Sequence, residues 1–466
     1  MKTRGSFALV CACLGVVVGG TACSSDDGKV HITPHEPADG GGTPSGDGSA
    51  ADAGGTIEQR QACMFGAGTK ATVSLGISDA TRKKIPIQHI IVAMKENRSF
   101  DHLFGKLGSG QPASEPIPAD FSNLDGDGKA VAPFHLDTTC EQTDPGHQWD
   151  DMHAQVNGGK MDGFITNAIT STQTSLPAGA TSTDGHFVMG YYDESDIPFY
   201  YFLAKTYALA DRHFPSVRSG TWANRDYLYC GTSDGVKNTL TDGIPGASVQ
   251  TIFDKMDAQQ VTWAAYADDG PLSLALEWPL THPGVHPVQD LLDGLASGDL
   301  PSVSFVDGRL FGTADHPEED DHPPADVQVG EAWLKKLYDA TVASPLWDKT
   351  AILFTFDEAG GFADHVPPPE KSCIARPNNP KDADFFELGV RVPLIAISPW
   401  ARRHTVSHVQ HEHTSITRFI ELVFDLPAMT ARDANSDALL DMFDFDQDAT
   451  KTFPDAPAPG TGGCTP

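Results

Sequence analysis

Nearly continuous apolar runs, each of strand length, recur along the chain from about residue 85 onwards. Such runs are typical of parallel strands that are covered on both faces by other elements. Between and after them lie segments with apolar residues three and four positions apart, a spacing that predicts amphipathic helices. The alternation of strands and helices predicts a wound α/β sheet. The predicted strands are 87–94, 261–267, 302–306, 351–356 and 392–398, and the predicted helices include 327–344 and 415–424.

The folded part is predicted to begin near Ile85, just before the first of these strands. Between positions 106 and 190 the chain is rich in Gly, Asp and Pro, and this composition predicts loops or a cap inserted over the sheet. Loops at the surface of a rigid scaffold are where functional sites are commonly built.

Two acidic residues, Asp357 and Glu358, directly follow the predicted strand 351–356, and two glycines, Gly360 and Gly361, come soon after. Ligands of open α/β sheets bind outside the carboxyl ends of the strands. Paired carboxylates in that position favour a metal site, and a polar turn is the alternative interpretation.

The first predicted strand ends in a similar way, with Glu96 followed by Asn97. Carboxylate and carboxamide oxygens are ligands that hard cations prefer. Capping of the next helical turn by Asn97 is an equally good interpretation of this segment alone.

Two hydroxyl residues, Ser219 and Thr221, precede a predicted helix at 222–229. A hydroxyl at this position is most often an ordinary helix cap. A helix N-terminus also binds anions well, and a hydroxyl that touches a metal there becomes a better nucleophile.

Three histidines in polar segments are candidates for active-site roles: His147, His153 and His322. His322 stands between the acidic run 318–321 and two prolines that stiffen its loop. Each of the three, taken alone, is equally well explained as a solvated surface side chain, and the acidic run as solvated too.

The chain is strongly acidic, with 63 Asp and Glu against 32 Lys and Arg in 466 residues and a net charge of −31. This balance excludes a general nucleic-acid binder, because phosphate backbones demand clustered cations. An anionic substrate would need a local positive centre. A divalent cation held by carboxylates and histidines supplies one.

The N-terminus predicts an exported lipoprotein. Lys2 and Arg4 precede an apolar stretch at 7–18, and the ending Thr21-Ala22-Cys23 resembles the lipidation site of bacterial lipoproteins. Residues 1–23 are therefore predicted to be a signal peptide that leaves a lipid-anchored Cys23, residues 24–59 a disordered tether rich in Gly, Ser and Asp, and residues 60–466 the catalytic domain. The expected location is the bacterial cell envelope, attached to a membrane through the lipid.

Five cysteines remain after the signal segment, namely Cys63, Cys140, Cys230, Cys373 and Cys464. Export places them in an oxidising compartment. An odd number leaves at least one free or paired with another molecule. A bond between Cys63 and Cys464 would tie the ends of the domain together, but the spacing alone does not determine the pairing.

Several motifs in order resemble the phosphoesterase family of bacterial phospholipases C and acid phosphatases. They span roughly residues 85–445: ENRSFDHLFG at 96–105, GKMDGF at 159–164, SGTWANRDY at 219–227, DHPPADVQVGEAW at 321–333, FDEAGGFADHVPPP at 356–369 and VPLIAISPW at 392–400. The resemblance implies a three-layer α/β/α fold with an alkaline-phosphatase-like sheet and inserted loops or a cap. It also implies hydrolysis of phosphoric esters with the help of a metal.

Carried over residue by residue, the resemblance assigns metal ligands and catalytic groups. The ligands would be Glu96, Asn97, Asp357, Glu358 and Thr221, and the catalytic residues Thr221, His147, His322 and, less closely matched, His153. The family has Pro before its nucleophile and again two residues after it, where this chain has Gly220 and Ala223. His365 and His413 also match family motifs, and a structural role is an alternative for both.

The implied mechanism is in-line attack by Thr221 on phosphorus, giving a phosphothreonine that water then hydrolyses. The metal would be calcium, magnesium or manganese, because the ligands are oxygens. The expected substrates are small phosphomonoesters or phospholipid head groups. A strict phospholipase C and a non-catalytic surface lipoprotein that binds phosphorylated ligands stay as alternatives.

Overall fold

The computed structural model describes residues 55–107, 114–239, 241–246, 248–270, 285–313, 316–450 and 452–461. The predicted signal segment, Cys23 and the predicted tether up to residue 54 lie outside these ranges. The strands are β1 (His89–Lys95), β2 (Asn123–Leu124), β3 (Ala130–Val131), β4 (Phe134–His135), β5 (Gly190–Tyr191), β6 (Ala208–Phe214), β7 (Trp263–Tyr266), β8 (Val285–His286), β9 (Val303–Val306), β10 (Thr350–Phe356), β11 (Val392–Ile397), β12 (Thr405–Ser407) and β13 (His411–Glu412). The α-helices are α1 (Ile57–Gln61), α2 (Ala71–Leu75), α3 (Asp79–Arg82), α4 (Phe100–Phe104), α5 (Trp149–Val156), α6 (Phe164–Thr170), α7 (Pro198–Thr206), α8 (Thr221–Cys230), α9 (Ile252–Ala258), α10 (Val288–Ser297), α11 (Val327–Val342), α12 (His413–Phe424) and α13 (Ala431–Asn435).

Nine of the described strands form one mixed sheet in the order β12-β6-β11-β10-β1-β9-β7-β8, with β13 paired to β6. Its centre is parallel, because β1 pairs in parallel with both β10 and β9. The central strands β1 and β10 are buried along almost their whole length, as strands covered on both faces must be.

Helices surround this sheet in two groups. One group joins α7, α10 and α11, and the other joins α8, α9, α12 and α13, each through contacts within the group. In α12 the predicted apolar stripe faces inward, since Ile416, Phe419 and Ile420 are fully buried. The predicted three-layer α/β/α fold is confirmed.

Two features of the sheet differ from the sequence prediction. Strand β11 runs antiparallel to β10 and to β6, although all five predicted strands were expected to be parallel. Strand β6 was not predicted, because Asp211, Arg212 and His213 interrupt its apolar run. Asp211 is nevertheless buried, and it accepts a hydrogen bond from His408 at 2.9 Å.

The ordered chain begins earlier than predicted. Helices α1, α2 and α3 all precede Ile85, and α1 lies partly within the predicted tether. A disulfide joins Cys63 to Cys373 across 310 residues, so the suggested pairing of Cys63 with Cys464 is wrong. Cys230 is free and buried, as the odd count required. No helix in the described ranges is both long and apolar enough to cross a bilayer.

The buried His411 of β13 forms ion pairs with the segment after α13, and this set of contacts is called the His411 clamp. His411 Nδ1 lies 3.1 Å from Asp437 Oδ1, and His411 Nε2 lies 3.3 Å from Asp441 Oδ1. Burial by itself would lower the pKa of His411, but the two carboxylates outweigh it and raise the pKa to about 9. The imidazolium therefore links β13 to residues 437–441 at neutral pH.

This clamp predicts a pH-dependent contribution to stability. Because the pKa of His411 is raised on folding, the contribution is complete below the unfolded pKa of about 6.5 and disappears as the pH rises through about 9. We expect His411→Gln to lower the unfolding free energy by about 3 kcal/mol at pH 6 and by much less at pH 10. Urea denaturation of both proteins at the two pH values measures this, and a difference that does not change with pH would contradict it.

Candidate active site

Three adjacent parallel strands each end in an acidic residue. Glu96 follows β1 directly, Asp307 follows β9, and Asp357 follows β10. Lys95, the last residue of β1, pairs with Phe356, the last residue of β10. The three carboxylates therefore meet at one edge of the sheet, where ligands of α/β folds bind.

The turns after β1 and β10 lie tightly against each other. The Asn97 backbone N–H donates to Asp357 Oδ1 at 3.2 Å, and Asn97 has a positive φ of 63°. A Cβ on Gly360 would lie 2.3 Å from the Asn97 carbonyl oxygen, and Gly360 also has a positive φ of 64°. Glycine is required at this position both for its conformation and for the close approach of the two turns.

The Thr221 hydroxyl faces this acidic edge from the first position of α8. Its Oγ1 donates to Glu96 Oε2 at 3.3 Å. Asn224 holds the preceding turn, accepting from the Val217 N–H at 3.0 Å and donating to the Ser219 carbonyl at 2.6 Å. The Ser219 hydroxyl instead donates to the Lys237 carbonyl oxygen, so of these two hydroxyls only Thr221 contacts the strand-end acids.

A buried arginine one helical turn after Thr221 binds all three strand-end acids. Arg225 donates to Glu96 at 2.6 Å and to Asp307 at 2.7 Å, and its Nε lies 3.4 Å from Asp357 Oδ2. Arg225 and Asp307 were not among the predicted site residues. Two signals were available: an arginine four positions after a candidate nucleophile shares its helix face, and Asp307 directly follows a predicted strand.

The acidic edge is deeply buried and carries unsatisfied oxygens. Burial, reinforced by Glu96, raises the pKa of Asp357 to about 7, and burial raises the pKa of Glu358 well above its usual value. Among the described residues, Asn97 Oδ1 and Glu358 Oε1 are buried without a hydrogen-bond partner. Buried oxygens of this kind require a partner, and a hard divalent cation would provide it. The Asn97 and Glu358 oxygens therefore fit a metal, whereas the two Glu96 carboxylate oxygens already accept hydrogen bonds from Arg225 and Thr221.

His147 borders this edge, and the second candidate histidine, His322, lies next to it. His147 Nε2 lies 3.3 Å from the Asn97 carboxamide and 3.8 Å from Glu358 Oε1. Burial would lower the pKa of His147, but Glu358 and Asp144 outweigh it and raise the pKa to about 9. The ring of His322 lies 6.0 Å from that of His147, and its Nδ1 is 2.6 Å from the Pro323 carbonyl oxygen.

The third candidate, His153, has different neighbours. It stacks on Trp149 with ring centres 4.5 Å apart, and its Nε2 lies 2.9 Å from Glu387. Glu387 also binds Arg218, in the turn before Thr221, at 3.0 Å. These contacts connect His153 to the nucleophile turn only through other residues, and its catalytic role stays a prediction.

The two remaining histidines that match family motifs, His413 and His365, contact other residues of the protein that support the site. His413 Nε2 donates to the Asp357 carbonyl oxygen at 2.6 Å, and burial lowers the pKa of His413 to about 4, which keeps the ring neutral. His365 Nδ1 lies 2.7 Å from Asp101, a residue that Arg391 also binds at 2.9 Å. Both contacts fit the structural alternative, in which these histidines position other residues.

A buried ion pair positions the loop that carries His322. Lys95 Nζ lies 3.2 Å from Asp321 Oδ1, and both side chains are fully buried. Arg98 donates twice to the Asp321 carbonyl oxygen, at 2.9 and 2.6 Å. The interpretation of the acidic run 318–321 as solvated is wrong for Asp320 and Asp321, which are 3% and 0% exposed.

Helix α11 packs so closely on the Lys95–Asp321 pair that there is no room for a side chain at Gly330. A Cβ there would lie 1.6 Å from Asp321 Oδ1 and 2.5 Å from Lys95 Nζ. We expect Gly330→Ala to separate the pair and to lower the unfolding free energy by about 3 kcal/mol. Gly66→Ala is the control, because a Cβ on Gly66 meets no atom within 4 Å. Equal midpoints of urea unfolding for the two variants would contradict this account.

Comparison with known proteins shows which family the chain is similar to. A model of the phosphoesterase family matches residues 87–427, which contain all the strand-end acids, Thr221 and the three candidate histidines. The chain belongs to the phosphoesterase family. It is therefore a hydrolase that acts on phosphoric ester bonds, as its motifs predicted.

Its relatives in the family come from plants and bacteria. Non-specific phospholipase C1 of Arabidopsis thaliana is 33% identical over 381 residues, which cover 75% of this chain and 69% of that protein. Phospholipase C A of Mycobacterium tuberculosis is 30% identical over 444 residues, or 81% of each chain. Non-hemolytic phospholipase C of Pseudomonas aeruginosa is 30% identical and covers 80% of this chain and 59% of that protein.

Solved structures are more distant from this member of the family. A protein of the alkaline phosphatase superfamily from Vibrio parahaemolyticus has a TM-score of 0.30 and 16% identity, covering 52% of this chain and 63% of that one. A phosphonate monoester hydrolase from Silicibacter pomeroyi has a TM-score of 0.29 and 13% identity, covering 50% and 69%. The family assignment rests on the sequence matches.

Proposed function

We propose that this phosphoesterase is metal-dependent and cleaves phosphomonoesters, phospholipid head-group esters or both through a phosphothreonine at Thr221. The observation that carries the proposal is the Thr221 hydroxyl, 3.3 Å from Glu96 at an edge where Asn97 and Glu358 present buried oxygens that accept no hydrogen bond. A divalent ion held there by the five predicted ligands would supply positive charge to the phosphoryl oxygens and lower the pKa of the Thr221 hydroxyl.

The residues of the chain provide the other parts of the reaction. Thr221 Oγ1 attacks phosphorus, and its proton passes to Glu96 Oε2, the carboxylate oxygen that already accepts its hydrogen bond. The bond from phosphorus to the substrate alcohol breaks. The leaving oxygen takes a proton from His147 or His322, which face each other at this edge.

The second half of the reaction regenerates the enzyme. Water attacks the phosphothreonine and gives a proton to the histidine that protonated the leaving alcohol. The Thr221–phosphorus bond breaks as Thr221 Oγ1 takes back the proton held by Glu96, and the phosphate or phosphorylated head group is released. Arg225 keeps Glu96 and Asp357 in place through both halves, because it binds each of them in the buried interior. Positioning of this kind supplies much of the catalysis in phosphoryl transfer.

Metal dependence is tested by chelation. We expect chelator-treated protein to lose turnover of p-nitrophenyl phosphate by at least about a hundredfold, and calcium, magnesium or manganese to restore it. The restoring ion should also raise the melting temperature of the wild type, since it binds only the folded protein. Glu358→Ala should abolish that rise. Full activity in chelator, with no metal-induced shift, would overturn the metal assignment.

Substrate preference separates the remaining alternatives. The relatives are named phospholipases C, which favours a diester substrate, and p-nitrophenyl phosphorylcholine reports that activity beside the monoester. Turnover of the diester alone would support a strict phospholipase C. A metal-loaded protein that hydrolyses neither ester at any pH would support a non-catalytic protein that binds phosphorylated ligands.

Export and a lipid anchor at Cys23 are part of the same proposal, and mass analysis of the mature N-terminus tests them.

A further inference from the structure

A cavity of about 390 Å³ lies beside the turn that carries Thr221. The cavity is a separate feature from the acidic edge, since none of the strand-end acids lines it. Hydroxyl, carboxamide and carboxylate groups form its wall: Gln148, Asp150, Asp151, Thr170, Ser171, Thr172, Gln173, Asn238, Thr239 and Thr241.

The cavity wall touches both neighbours of the proposed nucleophile. The Gln148 carboxamide lies 3.0 Å from the position of a Cβ on Gly220. Thr239 Oγ1 accepts a hydrogen bond from the Trp222 N–H at 3.2 Å, and the Thr239 N–H donates to Gln148 Oε1 at 2.7 Å. Because Gly220 and Trp222 flank Thr221, the wall of the cavity contacts the chain one residue to either side of the proposed nucleophile.

Several polar groups of the wall have no partner within the described protein. They are the Gln148 side-chain N–H₂, the Asp150 carboxylate, the Thr172 hydroxyl and the Gln173 carboxamide. Together they offer both donors and acceptors, which suits a ligand with several hydroxyl groups. The described residues of the lining include no aromatic ring to receive a quaternary ammonium and no lysine or arginine to receive a second phosphate.

We propose that this cavity is the subsite for the alcohol portion of the substrate and that it takes a polyhydroxyl group such as a sugar, inositol or glycerol. The inference rests on the proposed function, because it requires Thr221 to be the attacking group. It adds a preference among phosphoric esters that differ in their alcohol. The side chains of Gln148, Asp150, Thr172 and Gln173 would set this preference, rather than the acidic edge.

The test compares esters that differ in the alcohol. The kcat/KM of glucose 6-phosphate, phosphocholine and p-nitrophenyl phosphate is measured for the wild type and for the double variant Thr172→Val, Gln173→Leu, both of whose side chains are exposed. We expect the wild type to prefer glucose 6-phosphate to phosphocholine at least about tenfold. The double variant should lose about tenfold on glucose 6-phosphate, the effect of two hydrogen bonds, and keep its rate on p-nitrophenyl phosphate.

Gln88→Leu is the matched control, because Gln88 is exposed just before β1, at the opposite end of that strand from Glu96. It should leave all three rates unchanged. Equal use of phosphocholine and glucose 6-phosphate by the wild type, or an unchanged rate of the double variant on glucose 6-phosphate, would overturn the subsite while the phosphatase activity stands. A metal-loaded wild type that hydrolyses neither these three esters nor p-nitrophenyl phosphorylcholine would overturn the proposed function and the subsite with it. Turnover of that diester alone would overturn the subsite and leave the proposed function standing.

Discussion

Thr221→Ala is expected to lower the kcat of p-nitrophenyl phosphate hydrolysis by at least about a thousandfold, because no other group takes over a lost nucleophile at this position. Its hydroxyl makes a single described hydrogen bond, to Glu96 at 3.3 Å. The unfolding free energy should therefore change by no more than about 1 kcal/mol. Steady-state kinetics and urea denaturation of the same preparation separate the two effects.

Ser219→Ala is the matched control for this variant. Ser219 also carries a hydroxyl in the same turn and is also buried, but it donates to the Lys237 carbonyl oxygen. We expect the variant to keep most of its turnover, and Thr221→Ser to retain activity because serine preserves the attacking oxygen. A Thr221→Ala protein with near-normal turnover, or a Ser219→Ala protein that is inactive, would reassign the nucleophile.

The acidic part of the site could be predicted because strand ends are visible in the sequence. The apolar runs of β1 and β10 stop abruptly at Glu96 and Asp357, and parallel neighbours bring their ends together. The same rule applied to β9 would have found Asp307. Asp307 lies outside all of the family motifs, so only the rule about strand ends points to it.

Other features depend on contacts that no local pattern shows. Strand β6 carries Asp211 in its interior, and its burial is tolerable because His408, almost 200 positions later, and the Glu115 backbone N–H both donate to its carboxylate. The bond between Cys63 and Cys373 likewise follows from how α1 packs, since spacing does not determine connectivity. The direction of β11 depends on the path of the loop before it. Each of these is a tertiary effect that overrides local propensity.

Arg225 is the second residue whose loss should have a large effect. Its guanidinium is buried and binds Glu96, Asp307 and Asp357. Burial would lower the pKa of Arg225, but these carboxylates outweigh it, with Asp307 the strongest, so the charge is retained. Removing the charge leaves three acids facing one another in the interior, where an unpaired charge is costly.

We expect Arg225→Met to lower the unfolding free energy by about 3–5 kcal/mol. Arg212→Met is the control, because Arg212 binds Glu115 at 3.0 Å with 42% of its side chain exposed, and surface pairs contribute about 0–1 kcal/mol. Should Arg225→Met fail to fold, Asp307→Asn removes one of the three charged contacts, and we expect a smaller loss of stability together with a lower kcat. Urea denaturation gives the stabilities and p-nitrophenyl phosphate hydrolysis the rates. Equal losses in the Arg225 and Arg212 variants, or an Asp307→Asn protein identical to the wild type in both measurements, would show that the guanidinium does not hold the strand-end acids.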